Sequence, residues 1–497
     1  MQRGMKLILL LVVLVLAVGG YLVVSHFAAE SEGTDDAAVS VASFSGDDVT
    51  ALRFGPAENT LTLERDGDVW RYAGDPDVFP LNQSIPEKML GAVAEITASR
   101  VIEDPEDLAE YGLDTPGSSL TVTTADGGGH SFAFGDTNDV TGEIYMLADG
   151  DASKVYLVSS DLPDAFSYSL CDMAQKETLP VFGTVRGVSV STGGKTLQLS
   201  YEEQNGNLAW TDYYHWFLED GATYLPLDTE KVSSLYKNVT GLVFLSCVSY
   251  NADDDTLAGY GLGDGAAALV TLQHVTTDSV DTGETDADGN AVTEQQTSWN
   301  TFTLRIGNRT DDGYYAALSG SRMVYLIDTD AAEALLTADY ASLRPDRFCR
   351  MDWDTVTSMD VTLSGETYTI SFDGTQDVEV SPAPTEGADA SSDDTQTQTA
   401  NGYTCGGTAL DADAVESFLD CVSGLVLQEE AGSVSAGTPE IGIVIHRNAS
   451  VFPTLTLTLS PLGSDQALAV FQGESLLVSR ESEENLLAAA QHALGLN

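Results

Sequence analysis

Short runs of alternating apolar and polar residues open the body of the chain. "VTALRFG" from Val49, "TLTLERDG" from Thr60 and "VWRYA" from Val69 each repeat with a period of two, the mark of strands with one buried face. "DGD", Asp66 to Asp68, predicts a hairpin turn between two of them. The period then changes. Pro86 suits the first turn of a helix, and Leu90, Val93 and Ile96 or Thr97 follow at near-helical spacing. The same order of signals returns twice. Helix candidates "IPEKMLGAVAEI", "TEKVSSLYKNV" and "DADAVESFLDCV" run into "ITASRVIED", "VTGLVFLSC" and "VSGLVLQEE". Gly241 and Gly424 occupy the expected helix stop in the second and third copies, and Ala98 stands there in the first.

The downstream halves correspond as well. "SLTVTT" leads to "HSFAFGDTNDVTGEIYMLADGDASKVYLVSSDLPDAF", and "ALVTLQH" leads to "NTFTLRIGNRTDDGYYAALSGSRMVYLIDTDAAEALL". Gly135 matches Gly307, Tyr145 matches Tyr315 and Tyr156 matches Tyr325. Between helix and strand the first two copies carry one phrase, "DLAEYGLDTP" at Asp107–Pro116 and "TLAGYGLGDG" at Thr256–Gly265. Asp104 is the expected cap of a short helix there, with Pro105 in its first position and Gly112 in the left-handed conformation that stops it. The shared residues are apolar or glycine, so the phrase reads as a module marker rather than a catalytic motif. The third copy keeps the order without the phrase, as divergent terminal units do.

These patterns predict an α+β fold of tandem units, each an antiparallel sheet covered by one or two helices, after an N-terminal transmembrane helix. The expected divisions are residues 1–27 as cytoplasmic tip and anchor, 28–46 as a flexible stalk, and units over 47–170, 185–340 and 355–495. Two low-complexity inserts, 276–298 and 381–400, lack apolar anchors and are expected to be mobile loops.

The first residues extend this picture. Arg3 and Lys6 precede an uncharged apolar run from Leu7 to Val24, long enough to cross a bilayer with its positive flank in the cytoplasm. "SHFAAES" offers a weak cleavage site, so secretion after cleavage is the alternative. The body is then extracytoplasmic. Its 77 acidic residues against 21 basic ones give a net charge of −56, a surface that repels nucleic acid and anionic headgroups. An acidic or saline habitat, or solubility alone, would explain the same balance.

Little catalytic chemistry emerges. Cys171, Cys247, Cys349, Cys405 and Cys421 contain no CxxC pair, which argues against zinc-ribbon and thioredoxin-like sites. They leave room for one or two disulfides, Cys405 and Cys421 being the nearest pair, while Cys247 and Cys421 are expected to be buried. There is no GxSxG, HxH or HExxH, and the six histidines form no local ligand set. "STGGKT", Ser191 to Thr196, lacks the full phosphate-loop pattern and reads as a hairpin turn. "ETDADGNAVTEQ" from Glu284 imitates a calcium loop, but its bidentate position is Gln295 and no flanking helix is evident. Two acids for glycosidase chemistry can be found anywhere among 77. No catalytic, cofactor-binding or metal-ligating residue is therefore assigned. Trp210, Tyr213, Tyr214, Trp216 and Phe217 either line a ligand groove or pack an aromatic sheet face, and packing is the favoured reading.

The pattern resembles the DUF4340 family, bacterial proteins of uncharacterised function. The resemblance rests on the strand at Trp70, the helix ending near Arg100, "YGLDTP" at Tyr111–Pro116, "FAFGD" at Phe132–Asp136, "GEIYML" at Gly142–Leu147 and "VYLVSSDL" at Val155–Leu162. It covers residues 60–170 well and returns in "YGLGD", "LRIGN", "GYYAAL" and "VYLIDT"; the third unit matches by order only. The resemblance implies a membrane-anchored extracytoplasmic partner of an ABC-type export system, its permease and ATPase included, acting as a non-enzymatic accessory or scaffold. The alternative is a cell-surface module that binds peptide or glycan.

Overall fold

A computed structural model describes residues 38–496, apart from 205–207, 222, 266, 286–290, 381–395, 432–433 and 435–436. The apolar run Leu7–Val24 lies outside the described residues. Among those residues, no helix is long and apolar enough to cross a membrane.

Most of the fold is antiparallel sheet with a few helices. The chain divides into two compact bodies, residues up to Glu177 and residues from Thr178. In the first body, β1 (Val39–Ser43), β2 (Val49–Gly55), β3 (Leu61–Asp66) and β4 (Val69–Tyr72) precede a helix over Ser84–Val93. Next come β5 (Glu95–Ala98), β6 (Arg100–Glu103), β7 (Ser118–Thr124), β8 (Gly129–Thr137), β9 (Ile144–Ala148) and β10 (Lys154–Val158). An eight-stranded sheet runs β4-β3-β2-β7-β8-β9-β10-β6, and β1 pairs with β5 beside it.

The second body holds two nine-stranded sheets. One contains β11 (Thr184–Thr192), β12 (Lys195–Tyr201), β13 (Trp216–Asp220), β14 (Thr223–Leu227), β15 (Ser246–Ser249), β16 (Ala268–Thr285), β17 (Ala291–Thr310), β18 (Gly313–Leu318) and β19 (Val324–Ile327). The other contains β20 (Val356–Leu363), β21 (Glu366–Val380), β22 (Gln396–Cys405), β23 (Thr408–Ala409), β24 (Glu429–Glu430), β25 (Ile441–Arg447), β26 (Thr454–Leu462), β27 (Gln466–Phe471) and β28 (Glu474–Ser479). Their orders, β14-β13-β12-β11-β16-β17-β18-β19-β15 and β23-β22-β21-β20-β25-β26-β27-β28-β24, are the same. The first sheet follows that order with one edge strand fewer. Each sheet joins the first strand of its opening meander to the strand after the helical crossover.

Alternation explains the layers. In β25, Ile441, Ile443 and Ile445 are buried, and β20 buries Val356, Met359, Val361 and Leu363 on the same side. The helix Ala412–Ser423 lays Ala414, Val415, Phe418, Leu419 and Val422 against them, and the Asp411 carboxylate accepts from the Ala414 N–H to cap it. Removing a side chain such as Phe418 from water contributes about 1.5–3 kcal/mol. The helix Thr229–Thr240 does the same with Val232, Leu235 and Val239, capped by Asp228. Gly241 and Gly424 are the residues at which these two helices end.

Several boundaries differ from expectation. The first helix stops at Val93, with Ala94 as its cap, so Ala98 is not its end. Ile96 and Ala98 are buried two apart while Glu95 and Thr97 face solvent, which is strand alternation, and β5 pairs with β1. Val39–Ser43, counted with the stalk on composition, is therefore strand, and Phe44 beyond it is buried against Phe132. Only residues 276–285 and 291–298 of the first insert are described, and they form a paired ribbon rather than a loop. Thr276 faces Ser298 and the ladder continues to Thr285 and Ala291. The insert 381–400 lies outside the described residues except for its last five, which belong to β22.

Candidate functional site

The Tyr-Gly-Leu passage links β6 to β7 and has its counterpart between β15 and β16. Asp107, not Asp104, caps the first short helix: its carboxylate accepts from the Ala109 N–H at 2.9 Å. Asp104 has φ +48° and its N–H donates to the Ser153 carbonyl at 2.7 Å, tying it to the sheet instead. The helical turn Leu108–Tyr111 ends at Gly112, φ +63°, and the Leu113 N–H returns to the Leu108 carbonyl at 3.0 Å. In the second copy Asp253 caps Asp254–Gly259, Gly261 has φ +73°, and the Leu262 N–H returns to Leu257 at 2.8 Å. These are helix-stop geometries that glycine adopts without strain.

Both passages lie over a sheet face. Leu113 packs with Leu147 and Val155, and Leu262 with Leu257, Ala317 and Val324. The Tyr111 and Tyr145 rings stand 4.9 Å apart, and Tyr260 and Tyr315 stand 4.6 Å apart. Gly135 and Gly307 lie directly under the Tyr111 and Tyr260 carbonyls, where a β-carbon would collide with the oxygen. The Asn308 N–H donates to the Tyr260 carbonyl at 2.8 Å. Every shared residue of the phrase is thus committed to turning the chain or packing it.

The aromatic passage is largely interior. Trp210, Tyr214, Trp216 and Phe217 are buried; Tyr213 alone among the five is exposed, at 54%. Trp210 packs edge-on to Phe452, in the connection between β25 and β26, and to Phe471 of β27, at 5.5 and 5.2 Å. Its indole N–H donates to the Arg350 carbonyl at 3.0 Å, and the Tyr214 hydroxyl donates to the Arg347 carbonyl at 2.8 Å. The Thr211 hydroxyl and the Asp212 N–H donate to the two carboxylate oxygens of Asp352 at 2.8 and 2.6 Å. Burial pushes the Asp352 carboxyl above its ordinary range, against the pull of those two bonds. Burial likewise raises the Tyr214 phenol. Trp210 and Tyr214 are a clasp between two sheets, while Trp216 packs beside Tyr201 and Tyr236 of its own unit. The partners of the clasp lie about 140 residues further along the chain, beyond the reach of any local pattern.

Among the described residues, no three His, Cys, Asp or Glu side chains cluster so as to hold a metal ion. The tip of the calcium-like loop, Asp286 to Asn290, lies outside the described residues, and both flanks are strand rather than helix. "STGGKT" is a two-residue hairpin through Gly193 and Gly194, Thr192 facing Lys195. His130 contacts Asp149 at 3.1 Å, and His446 contacts Asp360 at 3.0 Å. His274 is buried beside Phe182, its Nδ1 accepting from the Gly183 N–H at 3.2 Å; burial lowers its pKa. Cys405 and Cys421 are free thiols, not bonded to each other. Cys247 and Cys421 are half-buried, whereas Cys349 is enclosed and its thiol pKa is pushed well up by burial.

The open cavities among the described residues include the following two. One of about 620 Å³ lies beside Phe44 and His130, with Asp48 and Asp126 on its wall. The other, about 450 Å³, lies outside the aromatic clasp and is lined by Tyr213, Arg347, Arg350, Met351, Asp420, Ser423 and Gly424. Here the central carbon of the Arg350 guanidinium stands over the Tyr213 ring, 3.0 Å from its centre. Sequence reasoning passed over these arginines; the available signal was three of them, Arg344, Arg347 and Arg350, within seven residues of a chain so poor in positive charge.

Searches of curated proteins and of solved structures find no match. A family model described as a domain of unknown function matches residues 70–214 and 216–436, which together make up most of the chain. The two matches meet at His215, inside the aromatic passage, and take in the Tyr-Gly-Leu phrase in both of its copies. The chain belongs to the DUF4340 family.

Proposed function

We propose that this protein is a non-enzymatic accessory or scaffold protein, anchored in the cell membrane by Leu7–Val24 with its body on the extracytoplasmic side. Three units of one plan, over 47–170, 185–340 and 355–495, form that body. Its partners are membrane proteins, the permease and ATPase of an ABC-type exporter, and not nucleic acid. The observation that carries this reading is the use of the recurring Tyr-Gly-Leu passage entirely for packing. Where a family's recurrent residues build the module, the differing outer surfaces are left to meet partners. The charge of −56 fits a body that stands off an anionic membrane and does not bind nucleic acid.

The test is crosslinking in native membranes, followed by detergent solubilisation and purification of the full chain and of a chain lacking residues 1–27. The full chain is expected in the membrane fraction with a permease and an ATPase crosslinked to it. The shortened chain is expected in the soluble fraction. Membrane association that survives the deletion would remove the anchor, and a full chain that captures neither transporter subunit would remove the accessory role.

A further inference from the structure

The cavity outside the clasp has the chemistry of an anion site. Arg347 is exposed and Arg350 half-buried, and among the described residues neither guanidinium has a hydrogen-bond or ion-pair partner. Arg344, three residues earlier, is turned inward and lies 3.7 Å from Glu474. Both Arg347 and Arg350 are held by their backbones, whose carbonyls accept from Tyr214 and Trp210. The Arg350 guanidinium carbon stands over the Tyr213 ring, a cation–π contact that holds this side chain at the cavity wall.

We propose that this cavity binds a single carboxylate group, held by the Arg347 and Arg350 guanidiniums. A planar monoanion matches a guanidinium edge through two parallel hydrogen bonds. More highly charged anions are disfavoured by the surroundings. Asp420 lies on the wall, the carbonyl end of the helix Ala412–Ser423 closes it at Ser423 and Gly424, and the whole body is strongly negative. The carboxylate can come from a free small acid or from an acidic side chain on a protein segment. This inference is independent of membrane anchoring and of any transporter partner.

The experiment is isothermal titration of the full chain in a non-ionic detergent at low ionic strength. The probes are butyrate, a short end-blocked glycine peptide with one internal glutamate, its glutamine counterpart, and inorganic phosphate. Butyrate or the glutamate peptide is expected to bind, the glutamine peptide is not, and Arg347→Gln or Arg350→Gln should weaken binding about tenfold or more. The tighter of butyrate and the glutamate peptide identifies the source. Thermal unfolding of each variant checks the fold, and the exposed Arg347→Gln decides if Arg350→Gln does not fold. Three results would overturn the assignment: no carboxylate binds, phosphate binds more tightly than both, or binding survives in a folded Arg347→Gln variant.

Discussion

Gly135 and Gly307 sit in strands, a position where glycine ordinarily weakens the sheet. Here the absent β-carbon lets the Tyr111 and Tyr260 carbonyls settle against the strand, with the Leu113 and Leu262 side chains alongside. Gly135→Ala or Gly307→Ala should therefore cost about 1–3 kcal/mol through overpacking. Gly112→Val should cost about as much, because φ +63° is left-handed and a β-branched residue resists it. Urea denaturation of each variant measures the loss; unchanged midpoints would mean that the passage is not locked to the sheet as described. His274 gives a pH signature at the same scale. Its folded pKa lies below the ordinary 6.5 because of burial. The unfolded chain therefore takes up a proton at a higher pH than the folded one, and its contribution to stability is intact above about pH 6.5 and is lost as pH falls toward the folded value. Thermal unfolding followed from neutral to mildly acidic pH should show the decline, and His274→Gln should flatten it. A variant with an unaltered slope would assign the decline to other groups.

At the scale of elements, the sequence is most legible where one period runs without interruption. β25 alternates strictly, and Val232, Leu235 and Val239 follow a helical stripe, so both were readable. The hairpins at Gly67 and at Gly193–Gly194 were readable from turn chemistry. The ribbon from Thr276 to Ser298 was not. Its residues bury no core, which suggested a loop, yet threonine and valine suit an extended backbone and the paired strands beneath it set the register. A ladder already formed over Ala268–Val275 can be extended without a hydrophobic face. It follows that the ribbon is dispensable for folding. Deleting Thr277–Thr297 and joining Thr276 to Ser298 through Asn-Gly should preserve the sheet, since that turn suits a two-residue hairpin. Circular dichroism and thermal unfolding are expected to show a change in midpoint within about 4 °C, that of a surface alteration in a domain this size. A collapse of stability would show that the ribbon supports the sheet below it.

At the scale of the molecule, the candidate site was legible only as a choice between groove and packing, because what decides it is contact across long sequence separations. Trp210, Tyr214 and Phe217 share a buried cluster with Phe348, Phe418, Ile443 and Phe471, so the two nine-stranded sheets are joined by a common core. The Thr211 and Asp212 bonds to Asp352 seal its edge. Residues 38–177 hold a separate body with its own sheet. The fragments 38–177 and 178–497 should each fold alone. Division of the second at Pro345 should not give two folded halves, because it strips Trp210 and Tyr214 of the residues that cover them and leaves Phe348 and Phe471 facing water. Within intact 178–497, Trp210→Ala should cost about 3–5 kcal/mol, the usual range for emptying a large aromatic site in a core. The decisive measurement is urea unfolding of 178–497 beside its two halves, followed by tryptophan emission and circular dichroism. A single coincident transition in the whole, with at least one half lacking a cooperative transition, is the expected outcome. Two halves that unfold cooperatively at the midpoint of the whole would mean that the shared cluster adds no stability, and that the clasp is only a point where two self-sufficient sheets touch.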